Sequence, residues 1–424
     1  VTAEPRLEVL ERAYARAVEA AQPANCLPPV LARAERDGKA LVLGAGKAAA
    51  AMAAAFCAHW QGPVRGMVVT RYGHGLKPGE SCADVQVIEA GHPSPDSASL
   101  AAGARLLELA RSAARVESVH CLISGGGSAL AAVPLAGVTF EQKRAAADFL
   151  IRAGADIREI NCVRKHLSGL KGGRLARAAH PAPVTTYAIS DIPGDNVADI
   201  ASGPTIPDAT TQADAIRILE RYDYEGLKEL KGVLDDARFE SPKPGEQGFH
   251  NDTSHLVATA ATALAAAATY LRHEGYEVMH LGDDLDDEAR TLGHRHGELA
   301  KRCLASGRRT AILSGGETRV VLGATSGRGG RNLVYLSALA LELDGAQGIS
   351  ALAADTDGID GRGGHAGGKI TSDTLARGAT RGVSLEALLE AHDTYRFFAA
   401  CDLLVQTGPT RTNVNDFRLI LCEP

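Results

Sequence analysis

Several short stretches of this 424-residue chain set glycine beside a cation, a hydroxyl or a carboxylate. In Gly44-Ala45-Gly46-Lys47 a lysine closes a glycine turn, and in Ser124-Gly125-Gly126-Gly127-Ser128 two hydroxyls bracket three glycines. Ser314-Gly-Gly-Glu317-Thr318 repeats that pattern, and Gly327-Arg328-Gly-Gly-Arg331-Asn332 offers two guanidinium groups. Asp191, Asp195, Asp355 and Asp357 lie in further glycine-containing loops. Glycine lets backbone N–H groups approach a ligand closely, and a helix N-terminus adds the positive end of its dipole. A lysine at such a terminus is unfavourable unless an anion joins it, so Lys47 implies one. Cations with backbone donors suit phosphates, and spare carboxylates suit a divalent metal that bridges them. Phosphoryl transfer needs that inventory, because its catalysis is mostly positioning and charge stabilisation.

Each stretch also has a plainer reading. A strand followed by three glycines is usually a tight turn, and the recurrence of Ser-Gly-Gly is what strengthens the functional reading. Asn161 to Arg174 gathers Arg164, Lys165, His166, Lys171 and Arg174 within eleven residues at its C-terminal end. A solvated face commonly explains such a run, but Gly169, Gly172 and Gly173 argue for backbone fitted around something. His92 and His166 each read equally well as substrate contacts or as structural loop histidines.

Familiar alternatives fail on particular residues. There is no G-x-x-x-x-G-K-[ST] loop and no kinase H-R-D loop. The stretch around Ser128 misses the last glycine of the G-x-S-x-G elbow, against a serine hydrolase. The Asp355 loop misses a calcium-loop ligand at Ile359. A dinucleotide fingerprint tolerates Ala49 but wants an acid closing the second strand, where Arg71 stands instead.

The elements that must carry these loops are legible from periodicity. Apolar runs over 40–43, 66–70, 85–90, 119–123 and 184–189 read as strands, and amphipathic segments over 5–20, 97–110 and 140–154 as helices. A helix is expected to open near Ser128, and a strand pair to flank the glycine loop between Ala311 and Leu322. The alanine-rich run Leu256 to Leu271 reads as a buried helix, too short to span a bilayer comfortably. Strands alternating with helices predict a doubly wound parallel sheet, whose loops meet at the strands' carboxyl ends. The length exceeds the roughly 250–300 residues one core serves, and the polar segment 235–251 marks the boundary. The ordered echo of glycine motifs between the halves hints weakly at duplication.

Composition narrows the partners. The net charge of −6 and pI near 6.2, without a basic block, argue against nucleic acid or an anionic membrane. The opening segment has acidic residues and no apolar core, so no secretory signal is expected there. Eight scattered cysteines without a C-x-x-C pair predict neither a disulfide framework nor a zinc site, and Cys121 reads as a small buried hydrophobe. A cytoplasmic setting fits.

Several motifs, taken together and in order, resemble the glycerate 2-kinase family, the type II kinases with a C-terminal MOFRL domain. They are Gly44-Ala-Gly-Lys47, Gly91-His-Pro-Ser-Pro-Asp96, Ile123-Ser-Gly-Gly-Gly-Ser-Ala-Leu130, Val163-Arg-Lys-His-Leu-Ser168, Lys171-Gly-Gly-Arg-Leu-Ala176, Ser314-Gly-Gly-Glu-Thr318, Gly327-Arg-Gly-Gly-Arg-Asn332, Asp355-Thr-Asp-Gly-Ile-Asp-Gly361 and Thr412-Asn-Val-Asn-Asp416. The resemblance spans nearly the whole chain. It implies ATP- and Mg²⁺-dependent phosphorylation of D-glycerate at its 2-hydroxyl, giving 2-phospho-D-glycerate and ADP. It also implies a Rossmann-like three-layer α/β/α domain with a parallel sheet over 1–238. A C-terminal α/β domain with a mixed sheet would follow over 250–424, with the active site in the cleft between them.

On this reading Lys47 and Arg331, with Arg328 as substitute, neutralise the transferring phosphoryl group. Asp191 draws the proton from the 2-hydroxyl or holds Mg²⁺, with Asp195, Asp355 and Asp357 as further metal ligands. Gly44, Gly46, Ser124, Gly125, Gly126, Gly127, Ser128, Lys165, Lys171 and Glu317 bind substrate or ATP, the carboxylate resting on the Ser124–Ser128 nest. The partners are small molecules, not nucleic acid or membrane, and a homodimer stays open. The family has also been labelled hydroxypyruvate reductase, so an NAD(P)H-dependent reductase is the alternative, and a non-catalytic binding protein a third.

Overall fold

The computed structural model describes residues 3–32, 37–82, 84–113, 117–321 and 327–424. The chain divides into two compact units. The parallel-sheet unit comprises Cys26–Ser190 and Asp195–Val257; the mixed-sheet unit comprises Val1–Asn25, Asp191–Gly194 and Ala258–Pro424. The segments 1–25 and 191–194, expected with the N-terminal domain, therefore cluster with the C-terminal half. The first is drawn there by its apolar face. In the helix Ala3–Ala20, Leu10, Ala13, Tyr14 and Ala17 are buried, and the Tyr14 hydroxyl donates to the Asp355 carbonyl at 2.8 Å.

The strands of the parallel-sheet unit are β1 (Lys39–Ala45), β2 (Val64–Arg71), β3 (Asp84–Ala90), β4 (Glu117–Ile123), β5 (Val184–Ile189) and β6 (Thr253–Ala258), in spatial order β3-β2-β1-β4-β5-β6. The pairs β1–β2, β2–β3, β1–β4 and β4–β5 are parallel. Continuous apolar runs such as Leu41-Val-Leu43 and Val119 to Ile123 suit strands covered on both faces, and Cys121 is buried in β4. The order reverses between β1 and β4. That is the switch point where open α/β sheets form their ligand crevice, and its two loops are Gly46–Lys47 and Ser124–Ser128. A second apolar cluster joins the helices Phe140–Arg152, Ile157–His166, Gln212–Arg221 and Leu227–Leu234 through Leu150, Ile160, Leu219 and Leu230.

The mixed-sheet unit holds β7 (Glu277–His280), β8 (Thr310–Ser314), β9 (Ile349–Asp355), β10 (Gly367–Ile370), β11 (Leu404–Val405) and β12 (Asp416–Cys422), ordered β11-β10-β9-β12-β8-β7. Only β7–β8 pair in parallel; β12 runs antiparallel to both β8 and β9. The mixed sheet is as expected. Its order and strand directions differ from those of the first sheet, so the motif echo does not extend to a shared topology.

Three local expectations change. The helix after Ser124 is a single turn, Gly127–Leu130. The strand pair around Gly315 reduces to β8 and one bridge between Glu288 and Arg319, while Leu322 lies outside the described residues. The alanine-rich run divides between β6 and the helix Ala260–His273, which buries one stripe, Ala263, Leu264, Ala267, Ala268 and Leu271. Among the described residues no helix is long and apolar enough to cross a membrane.

Candidate active site

At the switch point the two loops are stitched to each other. Lys47 donates its N–H to the Gly125 carbonyl at 2.9 Å, Ala48 its N–H to Ser124 Oγ at 3.0 Å, and Thr70 Oγ1 its proton to the Lys47 carbonyl at 3.2 Å. A Cβ on Gly46, at φ +146°, would stand 2.1 Å from Ser124 Oγ. Gly46 is thus required by loop-to-loop packing, and two amides a pyrophosphate would need are already donated within the protein. Gly44 and Ala45 belong to β1 itself. Gly126 is left-handed at φ +79°, and a Cβ there would press on the His92 ring at 2.9 Å and approach Lys47 Cγ at 3.4 Å. The lysine stem, the glycine turn and His92 therefore adjoin.

A cavity of about 370 Å³ opens beside this turn, lined by His92, Gly126, Ser128, Lys143, Arg164 and Lys171 among others. Lys171 is 2% exposed, and its Nζ bonds to Ser128 Oγ, which lies 3.2 Å from Ser202 Oγ. Burial first, then the charges of Lys143 and Arg164, hold the Lys171 ammonium well below its ordinary pKa. Lys143 is buried too, donates to the Val133 carbonyl at 3.0 Å, and is brought down to about 7 by burial and by Arg164 and Arg174.

The other cations of the 164–174 run are engaged elsewhere. Lys165 pairs with Asp199 and Asp208, each at 3.4 Å. Arg174 caps the carbonyls of Lys165, Lys171 and Phe239. His166 is fully buried between the Cys162 carbonyl and the Glu240 carboxylate. Of the two histidines, His92 lines the cavity and His166 is structural.

The mixed-sheet unit carries a second polar constellation. Arg331, at the first turn of the helix Arg331–Leu343, reaches Asp416 from Nε at 2.9 Å, Glu317 at 2.7 Å and Asp355 at 2.7 Å. Asp416 also accepts from Asn332 and from the fully buried Arg418. Asp360 accepts the backbone N–H groups of Asn332 and Leu333 at that same helix start. Burial and then Asp416 push the Asp360 carboxyl up to about 7, against the opposing pull of Arg331 and the two amides. Arg331 and Glu317, expected to face a phosphoryl group and a substrate, pair with each other in an ion-pair network whose Glu317 end is exposed. Arg328 is exposed and lies 4.0 Å over the Tyr395 ring.

The four carboxylates expected around a metal do not come together as one set. Asp355 Oδ2 is held by Arg331 and its Oδ1 by the Asp357 amide. Asp357 Oδ1 accepts the Ile359 amide, and Asp191 Oδ2 accepts from Asn413 at 2.9 Å. Asp195, left-handed at φ +52°, belongs to the other unit. Among the described residues no group of three or more His, Cys, Asp or Glu side chains is gathered for a metal.

Sequence reasoning missed Lys143, Ser202, Asp360 and Arg418. Arg418 carried a signal as a cation in the mostly apolar last strand, and Asp360 lies inside the Asp355–Gly361 motif.

A switch-point cavity walled by cations on a doubly wound sheet, with a second mixed-sheet unit, defines a two-unit α/β enzyme. Residues 9–234 match a family described as a domain of unknown function (DUF4147), and residues 310–416 match the MOFRL family. A Thermotoga maritima protein named D-glycerate 2-kinase is 35% identical over 95% of this chain and 94% of its own length. A crystal structure of glycerate kinase from that organism superimposes with a TM-score of 0.88 at 33% identity, covering 99% of this chain and all of the other. An Agrobacterium vitis protein with the provisional name hydroxypyruvate reductase is 45% identical over 98% of this chain and 94% of its own. The chain belongs to the glycerate kinase family of phosphotransferases, with a C-terminal MOFRL domain.

Proposed function

We propose that this chain transfers the γ-phosphoryl group of ATP to the 2-hydroxyl of D-glycerate, giving 2-phospho-D-glycerate and ADP. The observation that carries this reading is the switch-point cavity, lined by Lys143, Arg164, Lys171 and Ser128, whose hydroxyl Lys171 touches. A small hydroxy acid needs both features, a cationic anchor and hydroxyl partners. Lys47, its stem against Gly126, supplies the charge that meets the transferring group, and Arg328 replaces Arg331 as the arginine that reaches it. Asp191, oriented by Asn413, remains the proposed base or metal ligand. Mg²⁺ enters with the nucleotide, whose phosphates complete its shell of oxygens around one or two carboxylates. A site assembled from both units, the domain limits near 238 and 250, and a cytoplasmic location are part of the same proposal and come from the resemblance.

Hydroxypyruvate reduction with NAD(P)H is the second reading, favoured by the name of the Agrobacterium relative. Against it stand the amides of Lys47 and Ala48, already donated to the Ser124 loop, and Arg71 where a ribose-binding acid belongs.

Incubation with D-glycerate and Mg-ATP, coupled directly to enolase, tests the kinase reading. Signal without added phosphoglycerate mutase is the expected result; signal only with mutase would reassign the hydroxyl. Consumption of NADH with hydroxypyruvate, and no ADP from D-glycerate, would favour the reductase.

A further inference from the structure

We propose that Lys143, Arg164 and Lys171 form an oxyanion subsite in the switch-point cavity, and that an anion binds there together with a proton. The proposal rests on the kinase reading for its ligand, the carboxylate of the acid substrate or a phosphate of the nucleotide.

The three side chains come from different places. Lys143 lies on the helix Phe140–Arg152, Arg164 on the helix Ile157–His166, and Lys171 on the turn that follows, yet all line one cavity. Each lysine is at least nine-tenths buried, and each has a neutral oxygen as its hydrogen-bond partner: the Val133 carbonyl for Lys143, Ser128 Oγ for Lys171. The charged groups around them are mostly of their own sign. Arg164 and Arg174 face Lys143, Lys143 and Arg164 face Lys171, and exposed Arg144 lines the rim. His92 closes another wall. Asp148, exposed, is the carboxylate lining the cavity, and its field falls on Arg164. Contrast Lys165 one position on, which sits between Asp199 and Asp208. Burying like charges without counter-ions is costly, and a protein that keeps them gathered around open volume has left the counter-ion to a ligand.

Proton coupling follows from the same arrangement. Burial, then repulsion, brings Lys143 down to about 7 and holds Lys171 well below its ordinary value. An oxyanion in their midst reverses the balance and favours the charged forms. At pH 8.5 an amine held near 7 is largely neutral in the free protein, so an anion that draws the charge back onto Lys143 takes up a proton from solvent. Affinity is then flat below about pH 7 and weakens as pH rises above it, by up to tenfold per pH unit for each proton taken up.

Calorimetric titration of D-glycerate, inorganic phosphate and ATP at pH 8.5, in buffers of different ionisation enthalpy, reads the proton directly. We expect uptake approaching one proton or more on binding of at least one of these anions, and none with glycerol. Lys143→Met should weaken that anion roughly 10- to 100-fold, the range of one charge-assisted hydrogen bond, and reduce the uptake. Lys143→Gln, which keeps a donor for Val133, serves if the first variant does not fold. Loss confined to D-glycerate places the carboxylate in the subsite; loss confined to ATP and phosphate places a phosphate there. Unchanged proton uptake and unchanged affinities in a folded variant would overturn the proposal. Proton-linked anion binding by a protein that forms no ADP from D-glycerate would instead uphold the subsite and overturn the kinase reading.

Discussion

Arg331 Nε lies 2.9 Å from Asp416 Oδ1, and the rest of its guanidinium ends on Asp355 and Glu317. A residue expected to greet a phosphoryl group is thus the hub that keeps three carboxylates together at a helix start. Removing it takes one cation from each of the buried carboxylates Asp416 and Asp355, and leaves Asp416 with Arg418. Breaking a buried pair in this way commonly costs about 3–5 kcal/mol. Arg331→Ala should therefore lower the melting temperature markedly as well as the activity. An unchanged melting curve would mean that the network contributes little to folding.

Lys47→Ala should behave in the opposite manner. Two of its bonds, to Gly125 and from Thr70, are made by its backbone and survive truncation. Loss of one preorganised charge typically removes roughly 10²–10³ in kcat. A steady-state assay beside a melting curve should show that loss with stability nearly intact. Normal turnover in the variant would remove Lys47 from the chemistry.

Gly46→Ala tests the stitched loops. The new methyl would overlap Ser124 Oγ and also stand 2.5 Å from the Ser124 carbonyl oxygen, in a backbone conformation that side chains rarely adopt. Overpacking alone costs about 1–3 kcal/mol. Denaturant unfolding should reveal that loss, and a Gly46→Ala/Ser124→Ala double variant should recover only part of it, because the carbonyl contact remains. Full recovery would make the hydroxyl the sole obstacle.

Asp360 gives stability a pH dependence of definite sign. Its folded pKa of about 7 exceeds the unfolded value near 3.9, so the folded protein holds this proton more tightly. The contribution is most favourable below about pH 4, declines as pH rises from about 4 to 7, and is constant above that window. Chemical unfolding at pH 5 and pH 8 should show wild type losing more stability than Asp360→Asn between the two. The difference should be a few kcal/mol at most, since each tenfold change in proton affinity is worth about 1.4 kcal/mol. Parallel profiles would place the carboxyl's titration elsewhere.

Chelation addresses the proposed Mg²⁺. With no preassembled carboxylate cage among the described residues, the ion should be needed for turnover and restored by added Mg²⁺, yet its removal should leave the melting temperature of the protein alone unchanged. Full turnover after exhaustive chelation would exclude a metal requirement.

Much of this was legible in the residues. The strands of the parallel sheet announce themselves because both faces are covered, so Leu41-Val-Leu43 and Val119 to Ile123 read as unbroken apolar runs. Glycine turns after β1 and β4 mark the switch point. Lys143 could not be read, because a lysine on an amphipathic helix looks solvated until another helix packs over it. Arg331 and Lys165 illustrate a related point. Sequence displays a cation, but its counter-ions, Asp416 or Asp208, lie tens of residues away and meet it only through tertiary packing.

The helix Ala3–Ala20 has a consequence for the order in which the polypeptide acquires structure. Its buried Tyr14 donates to a carbonyl 341 positions later, and the sheet it covers is completed by β12, at residues 416–422. A ribosome releases the first segment long before its seat exists. Residues 26–257 can condense around their own sheet meanwhile, since domains generally fold as units during synthesis. Until those later residues are made, the apolar stripe of the opening helix, with Leu10, Tyr14 and Ala17, has nothing to cover it.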